Sequence, residues 1–183
     1  VMKPLPGNRF AVYFNGAERA YIIISGITID ASNVAYEAVK ITGRGTLATA
    51  ANHIRLVGLE IKNSPLGGIL TTNFAHSNEF IRLSIHDNGR VNATRKGDGG
   101  GLYLSSDNNL VDGCTIDDNA YWGLSVSKKD GLVHGNVIRN NVITRNWLGG
   151  VLGRGSHPVF YNNVVARKEN IGVWVDYSVE GAR

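Results

Sequence analysis

The sequence predicts an all-β solenoid of about six to seven short coils stacked in parallel, and three observations carry that prediction. A β-branched aliphatic residue recurs in one slot: Ile29, Ile61, Ile85, Ile116, Ile143 and Val165. Each is followed by a strand that opens on Gly or Ala: Ala38-Val39-Lys40-Ile41, Gly68-Ile69-Leu70, Gly101-Leu102-Tyr103-Leu104, Gly123-Leu124-Ser125-Val126, Gly150-Val151-Leu152 and Gly172-Val173-Trp174-Val175. Ala11-Val12-Tyr13-Phe14 is an earlier copy. No stretch keeps a helical period over three turns. Openings lie about 22 to about 33 residues apart with the shortest spacing recurring, which is a repeat period with loop insertions rather than the pattern of a single globular core.

The elements of a coil follow in order. In the opening strand the second and fourth residues are apolar, so the third faces solvent, giving an outward row of Tyr13, Lys40, Leu70, Tyr103, Ser125, Leu152 and Trp174. The next strand carries Ile24, Leu56, Phe80, Val111, Ile138 or Phe160 and then bends. At the bend stand Gly26, Gly58, Arg82, Gly113, Asn140 and Asn162, where Gly and Asn suit a positive φ. Ile27, Leu59, Leu83, Cys114, Asn141 and Asn163 follow and turn inward. One coil cannot bury its apolar edge, whereas stacked coils bury columns of like residues. Asn141 and Asn163, inward in adjacent coils, are expected to bond to each other and to the bend backbone.

Composition narrows the class. The chain of 183 residues, 43% hydrophobic and 8% aromatic, reads as one domain over residues 1–183, and its 23 glycines fit many tight turns. No apolar run approaches a transmembrane segment, and the N-terminus lacks a signal-peptide pattern. Cys114 falls on the column of Leu59 and Leu83, which predicts a packed thiol, and one cysteine forms no disulfide within the chain. A net charge of +4 favours an acidic polysaccharide, although an ordinary solvated surface explains that excess as well. The scattered basic residues argue against nucleic acid. Asn92-Ala93-Thr94 is an N-glycosylation acceptor with meaning only in a eukaryotic secretory pathway. Both ends run straight into repeat register, which predicts a segment of a longer solenoid or self-association through uncapped coils.

Ser25-Gly26-Ile27-Thr28-Ile29, Gly101-Leu102-Tyr103-Leu104-Ser105 and Asn162-Asn163-Val164-Val165 resemble the repeat consensus of the right-handed parallel β-helix family, which includes pectate lyases, polygalacturonases and many bacterial β-helix repeat proteins. The resemblance covers about Ala11 to Val175 and implies a right-handed single-stranded parallel β-helix, secreted or at the cell surface. It also implies a substrate groove over the outward strand row. Such motifs specify a fold and say little about activity.

Chemistry is sought on that row and its loops. An aromatic row suits a sugar face. The segment between Ile85 and Gly101 is more than double the usual length and holds Arg90, Arg95, Lys96, Asp87 and Asp98 among glycines. Further expansions lie at Gly43-Arg44-Gly45-Thr46 and Ser127-Lys128-Lys129-Asp130. Tyr121-Trp122 and Trp147 read as turn residues before openings, which places Trp122, Trp147, Trp174 and Tyr103 as sugar-binding candidates. Elimination on a uronate polymer needs a base and a positive charge against the carboxylate. Lys96 or Arg95 are the base candidates, Arg154 and Lys40 would bind carboxylates, and Asp98 would orient a cation.

Hydrolysis needs facing carboxylates, and the one adjacent acidic pair, Asp117-Asp118, occupies turn positions matching His86-Asp87 and Thr144-Arg145. Asn-Thr-Asp, Gly-His-Gly, Asp-Pro-His-Glu and Arg-x-x-Pro-x-x-Arg, signatures of enzymes on this fold, are missing, so no catalytic residue is carried over from the family. His53, His76, His86, His134 and His157 lack zinc spacing, and calcium through Asp87 and Asp98 has no ordered ligand pattern. Two readings stand: a lyase-like carbohydrate-active β-helix, and a non-catalytic glycan-binding or structural module of a larger surface protein.

Overall fold

The structure, a computed structural model, describes residues 1–72, 74–89, 100–127, 133–154, 158–166 and 171–176. Its strands form three parallel sheets, and each strand pairs with its equivalent in the coils before and after. The first sheet holds the seven opening strands: Val12–Asn15, Val39–Thr42, Ile69–Thr71, Leu102–Leu104, Trp122–Ser127, Gly149–Arg154 and Ile171–Asp176. The second holds Ile23–Ser25, Arg55–Val57, Glu79–Ile81, Leu110–Asp112, Val137–Arg139 and Val159–Tyr161. The third holds Thr28–Asp30, Glu60–Lys62, Ser84–His86, Thr115–Asp117, Val142–Thr144 and Val164–Ala166.

Register follows the sequence columns. Ile29, Ile61, Ile85, Ile116, Ile143 and Val165 pair coil to coil, and the five isoleucines are fully buried. Ile24, Leu56, Phe80, Val111, Ile138 and Phe160 form a second column. Between these strands Gly26, Gly58, Arg82, Gly113, Asn140 and Asn162 all take the expected positive φ. At the N-terminal edge Met2 bridges Ile29, so residues before the first full coil pair with the third sheet, where the sequence suggested an uncovered start.

The small residue at each opening has a steric cause. A Cβ on Gly68 would stand 2.6 Å from Ile85 Cγ2 and 2.6 Å from the Gly101 carbonyl oxygen. Gly101, Gly123 and Gly150 meet Ile116, Ile143 and Val165 in the same way. In these four coils the β-branched column therefore leaves no room for a Cβ at the opening, whereas the earlier openings accommodate Ala11 and Ala38. Gly101→Ala is expected to destabilise by about 1–3 kcal/mol through overpacking, read as a lowered denaturation midpoint.

Polar columns line each bend. Asn141 Oδ1 accepts the Cys114 N–H at 2.8 Å, and Asn163 Oδ1 accepts the Asn141 N–H at 3.0 Å. Two further ladders, not anticipated, run through Asn78, Asn109 and Asn136 and through Asn88, Asn119 and Asn146. Each amide accepts the backbone N–H of its counterpart one coil earlier, satisfying donors that a dry bend would otherwise strand. Cys114 continues its ladder as a packed thiol: its Sγ accepts the Leu83 N–H at 3.4 Å, and burial pushes its pKa up to about 12. Native protein should resist iodoacetamide and react once unfolded; rapid alkylation of the folded chain would contradict this burial.

Candidate functional site

The outer face of the first sheet has the expected composition. Tyr13, Lys40, Leu70, Tyr103, Ser125, Leu152 and Trp174 are consecutive register partners. Their access is uneven, however. Tyr13 and Trp174 are exposed, Lys40 and Tyr103 half-buried, and Leu70 and Ser125 buried. Along Lys40, Leu70, Tyr103 and Ser125 the open positions therefore alternate with buried ones.

A cleft of about 490 Å³ lies over the first two strands, lined by Arg9, Phe10, Tyr13, Asn15, Lys40, Thr42, Gly43 and Arg44. Phe10 precedes the first opening strand and stacks on Tyr13, with centroids 5.0 Å apart and an interplanar angle of 25°. Lys40 Nζ stands 5.6 Å from the Phe10 centroid, and the Arg9 guanidinium stands 5.0 Å from that of Tyr36. Gly43 bridges Ala50 in antiparallel fashion, closing the insertion that places Arg44 at the rim. Among the described residues three cations and no carboxylate line the cleft. Cations held against aromatic faces keep their charge and lose little freedom when an anion arrives.

Several carboxylates of the other faces are engaged. Arg139 bonds Asp112 Oδ2 at 2.8 Å, and Asn140 donates to Asp112 Oδ1 at 2.8 Å. Arg145 binds both Asp117 and Asp118, so the adjacent acidic pair is held in ion pairs at the end of the strand Thr115–Asp117. Lys62 Nζ and Thr28 Oγ1 donate to Glu60 at 2.7 and 2.8 Å, and these bonds hold the Glu60 carboxyl down to about 2. A depressed carboxylate stabilises the fold above its unfolded pKa, and that contribution is lost as pH falls through the folded value. The melting temperature should therefore drop between about pH 4.5 and pH 2, less steeply in Glu60→Gln; equal slopes would exclude Glu60 as a contributor.

Lys96, Arg95 and Asp98 lie outside the described residues, as do Arg90 and residues 128–132. Arg154 ends the strand Gly149–Arg154, in register with Ser127 and Asp176. Tyr103 is tied by its hydroxyl to Ser127 Oγ at 3.0 Å. Trp147 is 54% exposed before its opening strand. Trp122 is a correction: it begins a strand rather than sitting in a turn, and is only 5% exposed. Gly149 leaves room for its ring, which meets Trp174 edge-on at 6.3 Å. Trp122 thus supports Trp174 and offers no open face to a sugar.

Among the described residues no group of three or more His, Cys, Asp or Glu side chains is arranged to hold a metal ion. Asp87 Oδ2 accepts from His86 Nδ1 at 2.7 Å. Arg9, Phe10 and Tyr36 were missed by the sequence reading. The available signal was an aromatic just before an opening, as Tyr36 precedes Ala38 and Tyr121 precedes Gly123.

The family model described as a right handed beta helix region matches residues 8–163, and the chain belongs to this family. The fold also matches an alginate lyase from Paenibacillus sp. str. FPU-7, with a TM-score of 0.62 and 21% sequence identity, covering 87% of this chain and 54% of that one. The chain thus spans about half the length of that lyase chain. No curated protein matches. Among the described residues no helix is long and apolar enough to cross a membrane.

Proposed function

We propose that this right-handed β-helix binds an acidic, uronate-containing polysaccharide on its first sheet and acts on it as a lyase, with the polymer anchored in the cleft of Arg9, Phe10, Tyr13, Lys40 and Arg44. The observation that carries the proposal is the cleft lining, which among the described residues holds three cations, stacked aromatic rings and no carboxylate. Sugar faces pack on the rings while carboxylates pair with the cations.

Elimination then requires a base beside the anchored ring, and Lys96 or Arg95 is assigned that role, with Asp98 orienting a cation. Their segment ends at Gly100, at the entry to the strand carrying Tyr103. Two strand spacings, about 10 Å, separate the strands of Lys40 and Tyr103, a span that a polymer bridges readily. The alginate lyase with the same fold supports a uronate polymer as substrate and, by the secretion such a polymer requires, a place outside the cell.

The second reading, a glycan-binding module without turnover, is favoured by the engagement of Asp112, Asp117 and Asp118 in ion pairs, which removes them as acid–base groups. Incubation with alginate, polygalacturonate and neutral glycans separates the two. Unsaturated product from a uronate polymer supports the lyase, saturable binding without product supports the module, and neither binding nor product from any glycan of the panel overturns both.

A further inference from the structure

We propose a second saccharide site on the second sheet of the first coils, a platform for one neutral pyranoside ring built on Tyr21 and His53. It lies where the chain leaves the first sheet and enters the second. There Tyr21, His53, Ser77, Asn108 and Gly135 take φ of 56°, 51°, 55°, 56° and 66°. This left-handed conformation suits Gly and Asn, which occupy it in later coils, and costs a bulky residue about 1 kcal/mol. Tyr21 accepts that cost while 77% exposed, so core burial does not repay it. What the first two coils gain is a ring stack: Tyr21 and His53 lie 4.6 Å apart at an interplanar angle of 13°.

The stack is held in place. His53 Nδ1 bonds Asn52 Oδ1 at 2.6 Å, and the His76 ring meets His53 edge-on at 6.0 Å. Beside the stack is a cleft of about 250 Å³ lined by Tyr21, Ile23, His53, Arg55, Ser77 and Glu79, below the roughly 300–1,000 Å³ of a drug-sized site and suited to a single ring. Ile23 adds an exposed apolar side chain.

Charge decides the ligand class. Arg55 Nε pairs with Glu79 Oε2 at 2.9 Å, with both side chains partly open to solvent. The cleft is thus neutral overall, and Glu79 would repel a uronate, in contrast to the cationic cleft on the first sheet. A carboxylate accepting two hydroxyl hydrogens and a guanidinium donating to hydroxyl oxygens are what a neutral sugar edge needs, while its apolar face covers the ring.

The test titrates the full chain with cellohexaose, mannohexaose and xylohexaose by calorimetry. Tyr21→Gly removes the ring and also relieves the backbone, so folding is preserved. At least one probe should bind saturably, about tenfold more weakly to Tyr21→Gly, with affinity recovered in Tyr21→Trp and polyuronate binding unchanged in both. Equal affinity in Tyr21→Gly overturns the platform, as does the absence of saturable binding by all three probes. Competition by polyuronate for the same heat overturns its separation from the cationic cleft.

Discussion

Asn119→Leu should lower stability by about 3–5 kcal/mol. Asn119 is buried at the centre of its ladder and uses every polar atom. Its Oδ1 accepts from the Asn88 backbone N–H and Asn88 Nδ2, and its Nδ2 donates to Ile85 O, Asp117 O and Asn146 Oδ1. Leucine has similar bulk and none of these groups, so it strands the Asn88 N–H in a dry bend and removes a donor from the Ile85 carbonyl. Each buried orphan costs about 1–3 kcal/mol. Asn163→Leu tests the reasoning at the far coil, where the side chain is part-exposed and water substitutes; it should cost about 1 kcal/mol. Denaturant titration followed by circular dichroism reads both. A loss below about 1 kcal/mol in Asn119→Leu would show that the ladder fixes register without contributing to stability.

Why one asparagine ladder was legible and two were not is a matter of where the signal sits. Asn141 and Asn163 align because they share a slot with Ile27, Leu59 and Leu83, a column already marked by apolar residues. Asn78, Asn109 and Asn136 stand two residues before the Phe80, Val111 and Ile138 column, and Asn88, Asn119 and Asn146 three after the Ile85, Ile116 and Ile143 column, positions that read as solvated turns. Hydrophobic periodicity shows what is buried by being apolar and is silent on what is buried by being hydrogen-bonded. The fold was legible because its columns repeat coil after coil.

The candidate site was less so. Lys40 and Tyr13 were placed on the outward row by alternation alone, whereas Arg9, Phe10 and Tyr36 come from non-repeating turns whose approach depends on how the coil closes. Trp122 was misread because the strand it begins extends to Ser127, longer than the three-residue strand before it in the sheet, and so takes in what looked like a turn.

The cationic cleft makes the functional prediction with the largest effect: Arg9→Ala combined with Lys40→Ala should weaken binding to a uronate polymer by at least about 100-fold. Each removed charge-assisted contact with a carboxylate is worth about 1.5–3 kcal/mol where the cation is pre-positioned, and both are held on aromatic faces. Neither forms an ion pair among the described residues, so their loss leaves no buried charge unmatched and the fold should be unaffected. Affinity of the original chain should fall as salt rises, and that of the double variant less steeply. Lys96→Ala and Arg95→Ala separate anchoring from chemistry: both should keep the polymer bound, while the variant that removes the base forms no unsaturated product. Undiminished affinity in the double variant would move the anchoring site away from the first two coils. Undiminished turnover in both loop variants would instead leave the cleft in place and require another base.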